Sequence, residues 1–224
     1  NGLFATIFNL GKMISIYPDN LNAPNFHIIE YGIQPEFKKI QQFCGHDHSH
    51  EEMIRKPSPF NVGNRSKTSM GSKLHTYDVA VVTTGEFYVN NGNTASAVRT
   101  AVTSTVNSIS AIFKNELGFT LRTSSGLIKM YDDPVTDPFD PAGKERTQQA
   151  RDVVSMNFNT SNYDIGHVFS TGGGGVAYLG SVCGSNKAGG VTGQPAPIGD
   201  PFSIDYVAHE MGHQFGGNHT QYNN

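Results

Sequence analysis

The stretch that decides the fold is Asp205-Tyr-Val-Ala-His-Glu-Met-Gly-His-Gln-Phe-Gly-Gly-Asn-His-Thr220, which contains the pattern H-E-x-x-H-x-x-G-x-x-H. His209 and His213 are four residues apart, so on a helix they share one face and both imidazoles can reach one ion. Gly216 tolerates the left-handed backbone with which helices often end, and the chain can then turn back to deliver His219. Three neutral nitrogens with one open position are typical of a catalytic zinc site, not of a closed structural one.

Glu210 follows the first of these histidines directly. It lies one step round the helix, where it can contact a water on the ion without binding the ion itself. We expect the zinc to acidify that water and to polarise the carbonyl under attack, and Glu210 to act as general base. The plain alternatives are a histidine cluster and a surface carboxylate on an ordinary helix. The pattern disfavours them because five positions in eleven are fixed, including a glycine where a turn is needed.

The segment resembles the zinc motif of the metzincin endopeptidases. The residues before it, Gly175-Val-Ala-Tyr-Leu-Gly-Ser-Val-Cys183 and Gly189-Gly-Val191, resemble the edge strand and the following residues of the adamalysin or reprolysin branch. Two further stretches, Tyr163-Asp-Ile-Gly-His-Val-Phe169 and Gly199-Asp-Pro-Phe202, are similar to bacterial secreted reprolysin-like enzymes. The chain departs from many adamalysins at Thr220, where they have Asp, and this leaves the zinc ligands unchanged.

This resemblance extends from about Leu74 to the C-terminus, and it implies a secreted zinc endopeptidase that acts on proteins or peptides. It also implies an edge strand to which a substrate peptide adds itself by main-chain hydrogen bonds. The residues assigned to substrate binding are Gly175, Val176, Ala177 and Tyr178. A plain structural edge strand is the alternative, and it is compatible with substrate binding.

A calcium site is a further implication of the resemblance. Asp78 stands where adamalysins have a calcium-binding acid, and Asp164 aligns with the second acidic ligand. Carboxylates suit calcium, whereas solvated acids are the alternative. A second acidic group is interpreted as a turn, and its members are Asp132, Asp133, Asp137 and Asp140.

The chain has two cysteines, Cys44 and Cys183, which are too few for a disulfide framework. Cys183 matches a family cysteine that pairs near the C-terminus, so it could pair beyond Asn224, bond Cys44 or be free. Cys44 is followed by Gly45, which resembles the Cys-Gly of cysteine-switch pro-peptides. In such a switch the thiolate takes the fourth zinc position and excludes water. A Cys44–Cys183 disulfide and an inert thiol are the alternatives.

The 224 residues allow one domain of ordinary size, or a domain with an appendage. Residues 1–43 are predicted to be a β-rich pro-segment remnant, with strand-like runs at 3–8, 12–17 and 25–31. Residues 44–74 have the composition of a linker, and residues 75–224 are assigned to the catalytic domain. Metzincins carry a methionine turn after the third histidine, so we expect the domain to lack its C-terminal part. The pro-segment and a missing C-terminal fragment are therefore expected partners.

The predicted linker carries histidines and basic residues. His46, His48 and His50 alternate, and a solvated segment is favoured over a metal site for them. An activating cleavage is expected near the basic residues Arg65, Lys67 and Lys73.

Strands and helices alternate along the rest of the chain. The predicted elements are a strand at 77–84, a helix at 93–117, strands within 119–131, a helix at 142–158, a strand at 164–170, a flexible loop at 171–175, a strand at 176–182 and the active-site helix at 203–215. This alternation predicts an α/β sandwich with a twisted, mostly parallel sheet of metzincin type.

Composition excludes some classes of function. A net charge of −3, with 16% charged residues, does not suggest a nucleic-acid or anionic-membrane partner. No apolar run reaches the length of about 18 residues that a membrane span requires. Two alternatives to a protease remain, a non-catalytic zinc-binding module and a secreted interaction module with a vestigial site. Glu210 discriminates in part, because a structural zinc does not need it.

Overall fold

The computed structural model describes the backbone of residues 5–9, 12–18, 27–31 and 44–46, and both backbone and side chains of residues 73–139 and 147–219. Three strands near the start form an antiparallel sheet of their own, in the order β1-β2-β3. They are β1 (Ala5–Asn9), β2 (Lys12–Pro18) and β3 (His27–Tyr31). Strands therefore form at the three runs that the sequence predicts, while their role in a pro-segment stays a prediction.

A larger sheet of seven strands lies at the centre of the described part of the chain. Its strands are β4 (Cys44–His46), β5 (His75–Thr83), β6 (Phe119–Arg122), β7 (Ile128–Met130), β8 (Ile165–Ser170), β9 (Gly174–Ala177) and β10 (Gly190–Gly193). The order is β4-β9-β10-β8-β5-β6, and β7 pairs with the second half of β5. Strands β5 to β8 and β10 are parallel. Strand β9 is antiparallel to β10 and carries β4, in parallel, on its other edge.

Helices cover both faces of this sheet. They are α1 (Gly85–Asn90), α2 (Ala95–Glu116), α3 (Thr147–Asn157) and α4 (Ala208–Gln214), and a π-helical segment, Pro201–Val207, leads into α4. The prediction of an α/β fold with a mostly parallel sheet and long helices is confirmed.

Alternation along β5 divides the core between the two faces. Val79 and Val81 pack with α2 and α4, whereas Ala80 and Val82 pack with α3, because successive side chains of a strand point to opposite faces. All four are fully buried, as expected for a central parallel strand. Each fully buried valine contributes about 1.5–3 kcal/mol of hydrophobic stabilisation, so this strand anchors the sheet under the helix that carries the histidine motif.

The structure differs from the predicted elements near residue 180. The strand predicted at 176–182 lies at Gly174–Ala177, so its start falls in the predicted loop. The backbone leaves the extended conformation at Gly180, where φ is 61°. The N–H groups of Gly180 and Val182 instead donate to the carbonyl oxygens of His213 and Gln214, at 2.9 and 3.1 Å. These bonds satisfy carbonyls that the end of a helix leaves without partners.

Three elements, α1, β4 and β10, have no counterpart among the predicted helices and strands. The first three residues of the predicted linker form β4, and the expected cleavage residues Arg65 and Lys67 lie outside the described residues, as do His48 and His50. In the described part of the chain, no helix combines the length and the apolar character needed to cross a membrane.

Candidate metal centre

Helix α4 ends at the turn that the sequence predicts. Gly216 has a φ of 95°, a left-handed conformation that glycine adopts without penalty. The Gly216 N–H donates to the His213 carbonyl (2.8 Å) and the Gly217 N–H donates to the Gly212 carbonyl (2.9 Å). This pair of bonds is the Schellman motif, which closes a helix and reverses the direction of the chain. The reversal brings His219 back towards α4.

Three imidazoles meet beyond this turn. The Nε2 atom of His209 lies 3.0 Å from Nε2 of His213 and 3.1 Å from Nε2 of His219. Two nitrogens bonded to one tetrahedral zinc at about 2.0–2.1 Å are themselves about 3.3 Å apart. The three side chains therefore fit one zinc ion. Among residues 73–139 and 147–219, His209, His213 and His219 form a group of potential metal ligands whose donor atoms all lie within 4.8 Å of one another.

Burial favours the neutral form of the His209 and His213 imidazoles, which is the form that binds a metal. Burial, followed by the nearby charges of His213 and His219, lowers the pKa of His209. Burial also lowers the pKa of His213, against the opposing effect of its hydrogen bond to Gly217. In that bond His213 Nδ1–H donates to the Gly217 carbonyl, so the lone pair of His213 lies on Nε2, within the cluster.

Glu210 lies between α4 and strand β9. Its side chain is 2% exposed, and its carboxyl group lies against the backbone of Gly175. The structure thus brings the predicted general base next to the first of the predicted substrate-binding residues.

A buried polar network, which the sequence did not reveal, fixes the residue that follows the second histidine. Gln214 Oε1 lies 2.8 Å from His167 Nδ1, and His167 Nε2 lies 2.8 Å from Thr192 Oγ1. The Gln214 amide nitrogen donates to the carbonyls of Gly166 (3.0 Å) and Lys187 (3.1 Å). With the amide oriented in this way, His167 Nδ1–H is the donor to Gln214 and Nε2 accepts the Thr192 hydroxyl.

This network joins α4 to β8 and β10. His167, Thr192 and Gln214 are all fully buried. Burial lowers the pKa of His167 to about 4, against the opposing effect of its hydrogen bond to Gln214. The sequence does contain one signal of this network, namely His167 inside the apolar run 165–169. A buried imidazole requires hydrogen-bond partners, so a histidine at this place indicates a buried polar network.

Residues 99–220 match the model of the metallo-peptidase family M12B, described as reprolysin-like. The match covers more than half of the 224 residues and includes all three histidines. The chain belongs to the reprolysin-like M12B family. No curated protein matches it. The resemblance to the reprolysin branch of the metzincins is confirmed, whereas the narrower bacterial secreted branch stays a prediction.

The reprolysin-like chain does not support the predicted calcium site. Both carboxylate oxygens of Asp78 accept hydrogen bonds from Arg122, at 2.8 and 2.9 Å. Asp164 Oδ2 accepts the Asp78 backbone N–H at 2.8 Å. The oxygens expected to face calcium thus have protein donors. In the other acidic group, Asp133 and Asp137 accept N–H groups of their own loop and of the start of α1, as expected for a turn, whereas Asp140 lies outside the described residues.

The predicted substrate-binding residues divide into two kinds. Gly175, Val176 and Ala177 belong to β9, whereas Tyr178 follows the strand and is buried against Gly189. The backbone of Tyr178 donates to the Gly189 carbonyl at 3.0 Å. Tyr178 therefore packs within the protein, and β9 offers its backbone on the edge away from β10.

Strand β4 occupies that edge, with Cys44 opposite Gly175 and Gly45 opposite Val176. The register places Cys44 beside the residue that contacts Glu210, and the side chain of Cys44 lies outside the described atoms. Cys183 is exposed and forms no disulfide within the part of the chain whose side chains the structure describes. Burial and the negative charge of Asp164 raise the pKa of Cys183 and favour its thiol form.

Proposed function

We propose that this reprolysin-like chain is a secreted zinc endopeptidase that hydrolyses internal peptide bonds. The observation that carries the proposal is the approach of His213 Nε2 and His219 Nε2 to 3.0 and 3.1 Å from His209 Nε2. The buried Glu210 follows His209 on α4. Membership of a metallopeptidase family supports protein or peptide substrates. Secretion rests on the resemblance to secreted reprolysin-like enzymes.

His209, His213 and His219 would hold the zinc. When bound, zinc acts as a Lewis acid that acidifies water and polarises a carbonyl. Glu210 takes the proton of the attacking water and returns it to the leaving amine. Its burial beside β9 keeps the carboxyl group in a fixed place, and the Schellman turn at Gly216 fixes the direction from which His219 approaches.

The substrate adds to the edge of β9 through main-chain hydrogen bonds. Gly175 to Ala177 supply these bonds, and the scissile peptide then lies next to Glu210, because Gly175 contacts that side chain. The backbone fixes register and direction, whereas side-chain pockets determine which residues are preferred.

Latency is the second part of the proposal. Strand β4 takes the edge that a substrate needs, so residues 44–46 compete with substrate for β9. The opposition of Cys44 and Gly175 supports a thiolate switch at the zinc, since thiolate is a good zinc ligand. Cleavage near Arg65 to Lys73 would end the local tether and its high effective concentration.

Metal content and hydrolysis test the catalytic part together. His213→Ala should lose stoichiometric zinc, while Glu210→Ala should keep it and lose about 10²–10⁴-fold in kcat on an internally quenched peptide, because general base catalysis supplies that factor. Equal zinc in wild type and His213→Ala would reject the ligand assignment. Full zinc without hydrolysis in the wild type, even after cleavage in residues 65–73, would favour the non-catalytic module.

Cys44→Ser tests latency in the full chain. With a thiolate switch, this variant hydrolyses the quenched peptide without added protease, whereas the wild type requires cleavage. A variant as latent as the wild type, but activated by cleavage, would reject the thiolate and leave blockage by β4 as the mechanism.

A further inference from the structure

Two glycines on neighbouring strands lie beneath the face of α4 that carries Glu210 and Gln214, which is next to the face that carries His209 and His213. Gly175 is in β9 and Gly190 is in β10. Neither is among the glycines with a positive φ, so the backbone conformation does not require glycine at these positions. The reason for glycine must be the space that a side chain would fill.

That space is taken by two side chains of α4. A Cβ on Gly175 would lie 2.4 Å from both Cγ and Oε1 of Glu210. A Cβ on Gly190 would lie 2.3 Å from Gln214 Oε1 and 2.4 Å from His167 Nδ1. Distances below 3.0 Å are not tolerated by real Cβ atoms, so a neighbour would have to move.

Glu210 and Gln214 are four residues apart and therefore share one face of the helix. They are 2% and 0% exposed, so neither has solvent to move into. The close contact at Gly175 involves Cγ and Cδ as well as a terminal oxygen. A methyl group there would therefore displace the whole carboxyl group.

We propose that Gly175 is a positioning residue for the catalytic base: its bare backbone admits the Glu210 side chain to its place between α4 and β9. The inference rests on the proposed function, since it assigns a role to Gly175 through Glu210. Gly190 is the structural counterpart, because it admits Gln214 and the buried network that holds α4.

The test is Gly175→Ala, with Gly173→Ala as matched control. Gly173 lies two residues earlier, is exposed, and has nothing within 4 Å of an added Cβ. With an internally quenched peptide and zinc-loaded protein activated by cleavage in residues 65–73, we expect Gly175→Ala to lose at least tenfold in kcat. Complete loss of a general base lowers the rate by about 10²–10⁴-fold, so a misplaced base should cost part of that factor. Zinc content and KM should stay within about twofold, because the substitution removes neither a histidine nor a main-chain group of β9. Gly173→Ala should match the wild type.

A double-mutant cycle separates positioning from general damage. In the Glu210→Ala background the colliding atoms are gone, so adding Gly175→Ala should change neither the residual rate nor the Tm. This double variant also keeps the test valid if Gly175→Ala alone fails to fold.

Three results would overturn the inference. The first is an equal kcat for Gly175→Ala and Gly173→Ala when Glu210→Ala is inactive. This result would reject the role of Gly175 and leave the proposed function intact. The second is a Tm loss from Gly175→Ala that is equal in both backgrounds. The third is a fully active Glu210→Ala, which overturns the proposed function and this inference with it.

Discussion

Acidification should destabilise the protein through His167, which lies in the buried network with Gln214 and Thr192. Burial lowers the pKa of His167 from 6.5 to about 4. Between these two pH values the unfolded chain binds a proton that the folded protein does not bind, so stability rises with pH. The contribution is fully present above about pH 6.5, and it is lost as the pH falls from 6.5 towards 4.

The size of the effect follows from the two pKa values. One pKa unit corresponds to about 1.4 kcal/mol, so the whole window is worth about 3 kcal/mol. Between pH 7 and pH 5, both accessible to experiment, the unfolding free energy should fall by about 2 kcal/mol through this one group. The loss is large against a typical stability of about 5–15 kcal/mol.

Urea unfolding at pH 7 and pH 5 measures this loss. The chain contains no tryptophan, so far-UV circular dichroism is the suitable signal. His167→Gln cannot be protonated and should remove about 2 kcal/mol of the pH dependence, while other titrating groups cancel in the comparison. His75→Gln is the control, because His75 is exposed on the same sheet and should behave as the wild type. Equal pH dependence in wild type and His167→Gln would refute the reasoning.

Two further predictions concern the turn after α4 and the calcium site that the structure does not support. Gly216→Ala should lower the unfolding free energy by about 1–2 kcal/mol, because an L-residue is strained in the left-handed region. Zinc titration of this variant should show weaker binding, because the turn delivers His219. Unchanged stability and zinc affinity would contradict this prediction. Millimolar calcium should leave the Tm of the zinc-loaded protein unchanged, because Arg122 holds Asp78, and a calcium-dependent rise in Tm would contradict that assignment.

The cluster of His209, His213 and His219 could be predicted because its geometry is local. His209 and His213 share a helix face because they are four residues apart. Gly216 indicates the end of the helix and the turn that brings His219 back to it. The central strand and the long helix α2 were equally accessible, since apolar periodicity is also a local property. These elements depend on neighbours in sequence, so one sequence suffices to predict them.

The buried network depends on residues that are distant in sequence. His167, Thr192 and Gln214 come from two strands and a helix, and their meeting follows only from the order β10-β8 in the sheet and the placement of α4 above it. The calcium prediction was not supported for the same reason: position suggested Asp78, but the partner that decides its chemistry, Arg122, lies on the neighbouring strand β6.

The glycines near residue 175 show how composition alone misled. The run at 171–175 predicted a flexible loop, yet its last two residues begin β9. At Gly175 the missing side chain provides room for Glu210. The strand register pairs the same residue with Thr192 of β10 on one side and with Cys44 of β4 on the other. One backbone position therefore contacts the proposed base, adjoins the network that holds α4, and pairs with the proposed inhibitory strand. If β4 leaves β9, the backbone of Gly175, which lies next to Glu210, is exposed at the edge of the sheet. In the proposed mechanism, removal of residues 44–46 would therefore also open the path of a substrate to Glu210.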